Sequence, residues 1–139
     1  MSTEHRIAKL SILSALALVA ASGAIAFASV SVSAQQSGGT QVSIVEGAST
    51  MADKAFDPSP ANVKVGDTVT WTNKDSQIHT VVSGTGSSDP DVGKAFDSSP
   101  GLKTLLSPNQ TFSHKFDTAG EFPYFCQLHP TMVGKVVVS

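Results

Sequence analysis

From residue 41 onward the chain sustains no helical period; its apolar side chains alternate with polar ones over short runs interrupted by glycine, proline, asparagine and aspartate. Residues 41–46 alternate, Val63-Lys64-Val65 leads into the turn pair Gly66-Asp67, and residues 68–72 alternate around Val69 and Trp71. Residues 79–83 are rich in β-branched side chains, and residues 111–116 set Phe112, His114 and Phe116 against Ser113 and Lys115. Residues 121–126 put Phe122, Tyr124 and Cys126 on one face, and Val136, Val137 and Val138 stand next to the C-terminus. A period of two buries one face of a strand and leaves the other wet, so such strands need two sheets closed over a shared core. About seven strands at this spacing predict an all-β sandwich. Residues 84–107 form a long connection rich in glycine, serine, proline and aspartate, with room for a short turn of helix. Trp71 and Tyr124 occupy inward positions and are expected in the core. Tyr124 stands two residues before Cys126 and follows Asp117-Thr118-Ala119-Gly120, the pattern of a tyrosine corner in Greek-key sandwiches.

The first 34 residues read differently. Arg6 and Lys9 precede an uncharged stretch from Leu10 through Val45, which opens with a strongly apolar run. This is the layout of an export signal, and Val32-Ser33-Ala34 offers the small residues that a signal peptidase reads before Gln35. The 23 residues 10–32 are also long enough to span a bilayer's hydrocarbon core if they are kept, so residues 1–34 are either a signal peptide or an N-terminal membrane anchor. In both cases the basic end stays cytoplasmic and the rest is exported, to a periplasmic or extracytoplasmic location. Residues 35–40 are expected to be a flexible linker, and residues 41–139 a single domain. Without residues 1–34 the chain keeps seven basic and ten acidic residues, a balance that suggests no nucleic-acid partner.

Cys126 is the chain's one cysteine, so no intramolecular disulfide can form even in an oxidising compartment. A lone exported thiol needs protection from oxidation, by a metal or by a dry core. Cys126, His129 and Met132 follow one another at C-x2-H-x2-M spacing between the last two expected strands, which lets a tight loop curl around one ion. Upstream, His79 lies where a sandwich could bring a second imidazole over that loop. A thiolate, two imidazoles and a thioether suit copper, because sulfur favours Cu(I) while imidazole also suits Cu(II). Zinc would want a fourth strong ligand, and Met132 is not one. The ordinary readings are core residues for Cys126 and Met132 and a satisfied polar residue for His79; their combination points to one copper ion. His114 is expected as a core or strand-edge histidine, Met51 at the surface, and Asp89 and Asp91 as solvated loop carboxylates.

These motifs resemble the plastocyanin/amicyanin group of cupredoxins, the type 1 blue copper proteins. The resemblance covers about residues 41–139, and Cys126 through Met132 followed by Val133-Gly134-Lys135-Val136-Val137-Val138 is most similar to the amicyanins. The run from Val63 to Asn73 also resembles the strand that leads to the first histidine ligand in that group. The resemblance implies a cupredoxin-like Greek-key β-sandwich of about seven to eight strands. It implies copper held by His79, Cys126 and His129, with Met132 as the weaker axial ligand. It gives Asn73 a supporting role, tying the first-ligand region to the cysteine loop. Two positions depart from the group's usual pattern: Leu128 stands where proline often precedes the second histidine, and Thr80 where asparagine commonly follows the first.

The function expected from this reading is single-electron shuttling by Cu(II)/Cu(I) cycling, with no enzymatic activity of its own. Electrons would pass through the edge of His129, ringed by the small apolar patch of Leu128, Pro130 and Val133, toward transient redox-protein donors and acceptors. A monomer suits such encounters. A copper carrier or store, and a structural module on the same fold, are the rival readings. A copper oxidase or nitrite reductase needs further histidines, and only His114 is left over.

Overall fold

The alternation is realised as eight strands in the computed structural model, which describes residues 39–139. The signal or anchor read over residues 1–34, and the linker up to residue 38, lie outside the described residues. The strands are β1 (Gly39–Ile44), β2 (Phe56–Asp57), β3 (Ala61–Val63), β4 (Thr68–Asn73), β5 (Val82–Ser83), β6 (Thr111–Lys115), β7 (Gly120–Phe125) and β8 (Val133–Val138). Gly39 and Thr40 already pair with Thr68 and Val69, so β1 starts inside the segment read as linker. Helical structure among the described residues is confined to 3-10 turns at Ala48–Thr50, Ala52–Lys54 and Pro100–Leu102, the last in the long connection where a short helical turn is expected.

One sheet has the order β2-β1-β4-β6 and the other β3-β8-β7-β5. β1 runs parallel to β4, and β3 parallel to β8. Parallel neighbours cannot be joined by a hairpin, so the chain crosses between sheets instead of meandering within one, in keeping with the Greek-key sandwich that the resemblance implies. Val42, Ile44, Val69 and Trp71 from the first sheet meet Ala61, Tyr124, Val136 and Val138 from the second, all buried. Trp71 is the hub. Its ring lies 5.4 Å from Tyr124 edge to face, 5.4 Å from Phe96 and 5.7 Å from Phe112. Burying aromatics of this size stabilises by about 1.5–3 kcal/mol each. Phe96 belongs to the long connection, which is therefore part of the core. It is fastened there by the Ser83 hydroxyl, which accepts from the N–H groups of Ala95 and Phe96 at 3.1 Å each.

Two expectations are corrected. The strand expected over residues 79–83 shortens to Val82–Ser83, with His79 joined to Leu106 by an isolated bridge. The reason is that side chains take the intervening donors: the Thr80 N–H points to Cys126 Sγ at 3.3 Å and the Val81 N–H donates to Ser98 Oγ at 2.8 Å. Tyr124 is fully buried as expected but is no tyrosine corner, since its hydroxyl has no hydrogen-bond partner among the described residues. Its ring packs edge-on to Phe56 and Trp71, and lies across Gly134, its register partner on β8.

His114 points inward between Phe96 and Phe116, at 5.1 and 4.8 Å. It pairs with Val69, several residues along β4 from Asn73, and takes no part in the metal cluster described below. Burial pushes its pKa below the usual histidine value, with nearby Asp117 only partly opposing, so it is a neutral core-edge residue at pH 7.

A Cβ on Gly134 would fall inside van der Waals contact with the Tyr124 ring, which has nowhere to move. Gly134→Ala is therefore expected to destabilise by about 1–3 kcal/mol, seen as a lower denaturant midpoint at unchanged slope.

Candidate metal centre

The segment 126–132 joins β7 to β8, and its own backbone fixes its shape. The Cys126 N–H donates to the Met132 carbonyl at 3.1 Å, the His129 N–H to the Cys126 carbonyl at 3.3 Å, and the Met132 N–H to the His129 carbonyl at 2.9 Å. Each of the three residues that could bind metal is thus tied to another, and the loop has little freedom to open. Cys126 and Met132 are fully buried within the hydrophobic core cluster, and His129 is half-buried.

His79 arrives from the other side. Its N–H and carbonyl pair with Leu106 at 3.1 and 2.9 Å, and its ring is buried. The ring is held at both nitrogens. Nε2 meets Asp75 Oδ2 at 2.8 Å, and Nδ1 faces Cys126 Sγ at 3.8 Å. Asp75 is itself buried. Its Oδ1 accepts from the N–H groups of Gly47 and Ser76, at 3.2 and 2.7 Å. Burial alone would push its pKa up, but the hydrogen bonds from His79, Gly47 and Ser76 outweigh it and hold the carboxyl below its usual value. An ionised carboxylate can only accept, so Nε2 carries a proton. Burial pushes the His79 pKa down, but its hydrogen bonds to Cys126 and Asp75 outweigh this and raise it, and Nδ1 is the ring nitrogen turned toward the sulfur. Asp75 has a trace in the sequence, a carboxylate four residues before His79, but only the folded loop shows it buried against the ring.

Asn73 supports this loop, though not as the resemblance implies. Its amide nitrogen donates to the carbonyls of Gln77 and Leu106 at 2.7 and 2.9 Å, and its Oδ1 accepts from the Asp75 N–H at 2.9 Å. Asn73 therefore ties the His79 loop to the strand-like segment at Leu106 and makes no bond to the cysteine loop. That bridge is made by Thr80, whose N–H reaches Cys126 Sγ and whose hydroxyl accepts from the Gln127 N–H at 2.8 Å.

Cys126 Sγ lies 3.8 Å from His79 Nδ1 and 3.7 Å from His129 Nδ1, and one donor atom from each residue falls within 4.8 Å of the others. Nitrogen and sulfur donors at about 2.0–2.1 and 2.3 Å from a shared ion, spread at trigonal angles, would be roughly 3.8 Å apart. The two sulfur–nitrogen separations thus match donors that share a single ion. The donor set selects copper over a closed zinc site, which would need a fourth strong ligand. His79, Cys126 and His129 are the group of this kind found among the described residues; Asp89 and Asp91 do not join one. Asp89 accepts from Thr85 and Asp91 within its own turn, and Asp91 pairs with Lys94 at 2.6 Å. Leu128 is half-buried and packs against the core, while Pro130 and Val133 are exposed beside His129.

The fold places the protein among the cupredoxins. A sequence model of the copper binding proteins of the plastocyanin/azurin family matches residues 40–139; the chain belongs to that family, and its cofactor is copper. Amicyanin-alpha of Methylorubrum extorquens is 35% identical over 133 residues, covering 90% of this chain and 95% of that protein. Plastocyanin of Tetradesmus obliquus is 39% identical over 89 residues, 60% of this chain and 58% of the relative, so the match spans less than two thirds of that protein's length. Among solved structures, a purple cupredoxin from Nitrosopumilus maritimus aligns with a TM-score of 0.61 at 33% identity, covering 72% of this chain and 99% of the other.

In the metal-free protein, burial raises the Cys126 thiol pKa. Hydrogen bonds from His79, the Thr80 backbone and His129 more than offset this and bring it down to about 6. Its stabilising contribution is then full above the ordinary thiol value and lost as pH falls through about 6. Titration of the thiolate ultraviolet absorbance in metal-free protein should give a midpoint near 6. In His79→Ala the midpoint should move up toward the ordinary thiol value of about 8.5.

Proposed function

We propose that the protein is a type 1 blue-copper electron carrier, with one copper ion held by His79, Cys126 and His129 and, more weakly, by Met132. The observation that carries this reading is the convergence of the three strong donors at ion-sharing distances on a loop laced by its own backbone. Copper supplies the one-electron couple when bound. The chain's residues keep its surroundings from changing between oxidation states. Asp75 fixes the His79 ring, Thr80 joins the two loops, and the backbone bonds from 126 to 132 hold the rest. A site that barely rearranges exchanges electrons without a large reorganisation barrier.

His129 is the half-buried ligand, so electrons enter and leave through its edge, beside Pro130, Val133 and Leu128. This small apolar surface suits brief encounters between a monomeric carrier and redox-protein donors and acceptors. The acidic balance of residues 35–139 favours basic partner surfaces, and rising salt would slow such encounters. The layout of residues 1–34 supports a location outside the cytoplasmic membrane, with the domain either released after cleavage near Ala34 or tethered by residues 10–32.

The test is visible absorption and electron spin resonance of the protein loaded with Cu(II). An intense blue thiolate-to-copper band with narrow copper hyperfine splitting is expected, with complete loss of both in Cys126→Ser. Reversible cycling with copper retained in both oxidation states is expected of an electron carrier. Ready release of one state would instead favour the copper carrier, and a colourless protein would refute the thiolate site.

A further inference from the structure

Thr80 is completely buried, one residue after His79, and its hydroxyl lies between two groups of opposite character. The Gln127 N–H donates to Thr80 Oγ1 at 2.8 Å, and Oγ1 lies 3.7 Å from Cys126 Sγ. The Thr80 N–H reaches the same sulfur at 3.3 Å. A hydroxyl has one proton to give and lone pairs to accept with. The accepting side is occupied by the Gln127 N–H. With no solvent at hand, the hydroxyl proton needs an acceptor inside the protein, and the Cys126 sulfur is the partner within reach. The distance is long for oxygen but suits the larger sulfur atom.

We infer that the Thr80 hydroxyl is a second hydrogen-bond donor to the copper-bound sulfur of Cys126, beside the Thr80 N–H, and that it raises the reduction potential of the site. The inference rests on Cys126 being a copper ligand, as proposed above. A donor on the sulfur draws electron density from the bond that the thiolate makes with the metal. Cu(II) depends on that donation more than Cu(I) does, so the reduced state is favoured. Thr80 thus acts on the site in the opposite sense to Asp75, whose carboxylate makes the His79 ring a stronger donor. Thr80 is a positioning residue in this scheme, acting through Cys126 and making no contact with a partner.

The experiment compares copper-loaded wild-type protein with Thr80→Val, which removes the hydroxyl at similar volume, and Thr80→Ser, which keeps it. Loss of one hydrogen bond should lower the ratio of Cu(I) to Cu(II) at fixed applied potential about fivefold, equivalent to roughly 40 mV for one electron. The thiolate-to-copper band should move to longer wavelength in Thr80→Val, and Thr80→Ser should stay near wild type in both readouts. A blue Thr80→Val protein with unmoved potential and band would overturn the inference while leaving the copper site standing. So would Thr80→Ser moving as far as Thr80→Val. If the wild type itself lacks the intense band, the copper–thiolate reading falls and the inference with it, a result distinct from the other two. Should Thr80→Val fail to fold, wild-type Cu(I) protein still decides the matter by nuclear magnetic resonance. A slowly exchanging Thr80 hydroxyl proton close in space to the Cys126 β-protons is expected, and its absence would overturn the inference.

Discussion

A sulfur atom that is fully buried and held as thiolate cannot be tolerated in a hydrophobic core unless positive charge or hydrogen-bond donors surround it. Cys126 sits among the aromatic and aliphatic core, yet His79, His129 and Thr80 all turn toward it. Much of the architecture at this end of the sandwich follows from that requirement. The strand after His79 is interrupted because Thr80 gives its N–H to the sulfur and Val81 gives its own to Ser98. The long connection is drawn into the core because its Ser98, Phe96 and Leu106 must complete what the shortened strand leaves unpaired.

The same requirement explains how the site is held together. Two connections meet at it, one crossing from β4 to β5 and one joining β7 to β8, and each is closed on itself before it meets the other. The cysteine loop is laced by three backbone bonds, and the histidine loop is gathered by Asn73 and Asp75. Thr80 then joins them. The separations of the Cys126 sulfur from the two histidine nitrogens are thereby set by the fold. In the electron transfer proposed above, a site so held would keep either oxidation state from relaxing it to its own preference.

Much of this was legible in the sequence. The period of two is a direct consequence of strand geometry, and alternating faces could be read along β1, β4 and β6. Cys126, His129 and Met132 lie within one loop, so their spacing alone brought them together. What escaped was of another kind. The two-residue strand β2 has too few residues to show a pattern. The tyrosine corner pattern around Tyr124 was present, yet packing against Trp71, Phe56 and Gly134 drew the ring across the core and away from the corner.

The sequence by itself therefore determined the all-β class, the order of the longer strands along the chain, the lone thiol and the candidate donors of the 126–132 loop, because each follows from local periodicity or from spacing within a single loop. The tertiary structure alone decided which distant groups those donors meet. That Asn73 serves Leu106 and not the cysteine loop, and that Thr80 bridges His79's segment to Cys126, are outcomes of how two sheets stack. Contacts between residues more than thirty positions apart depend on sheet register and crossover, which no short stretch of sequence encodes.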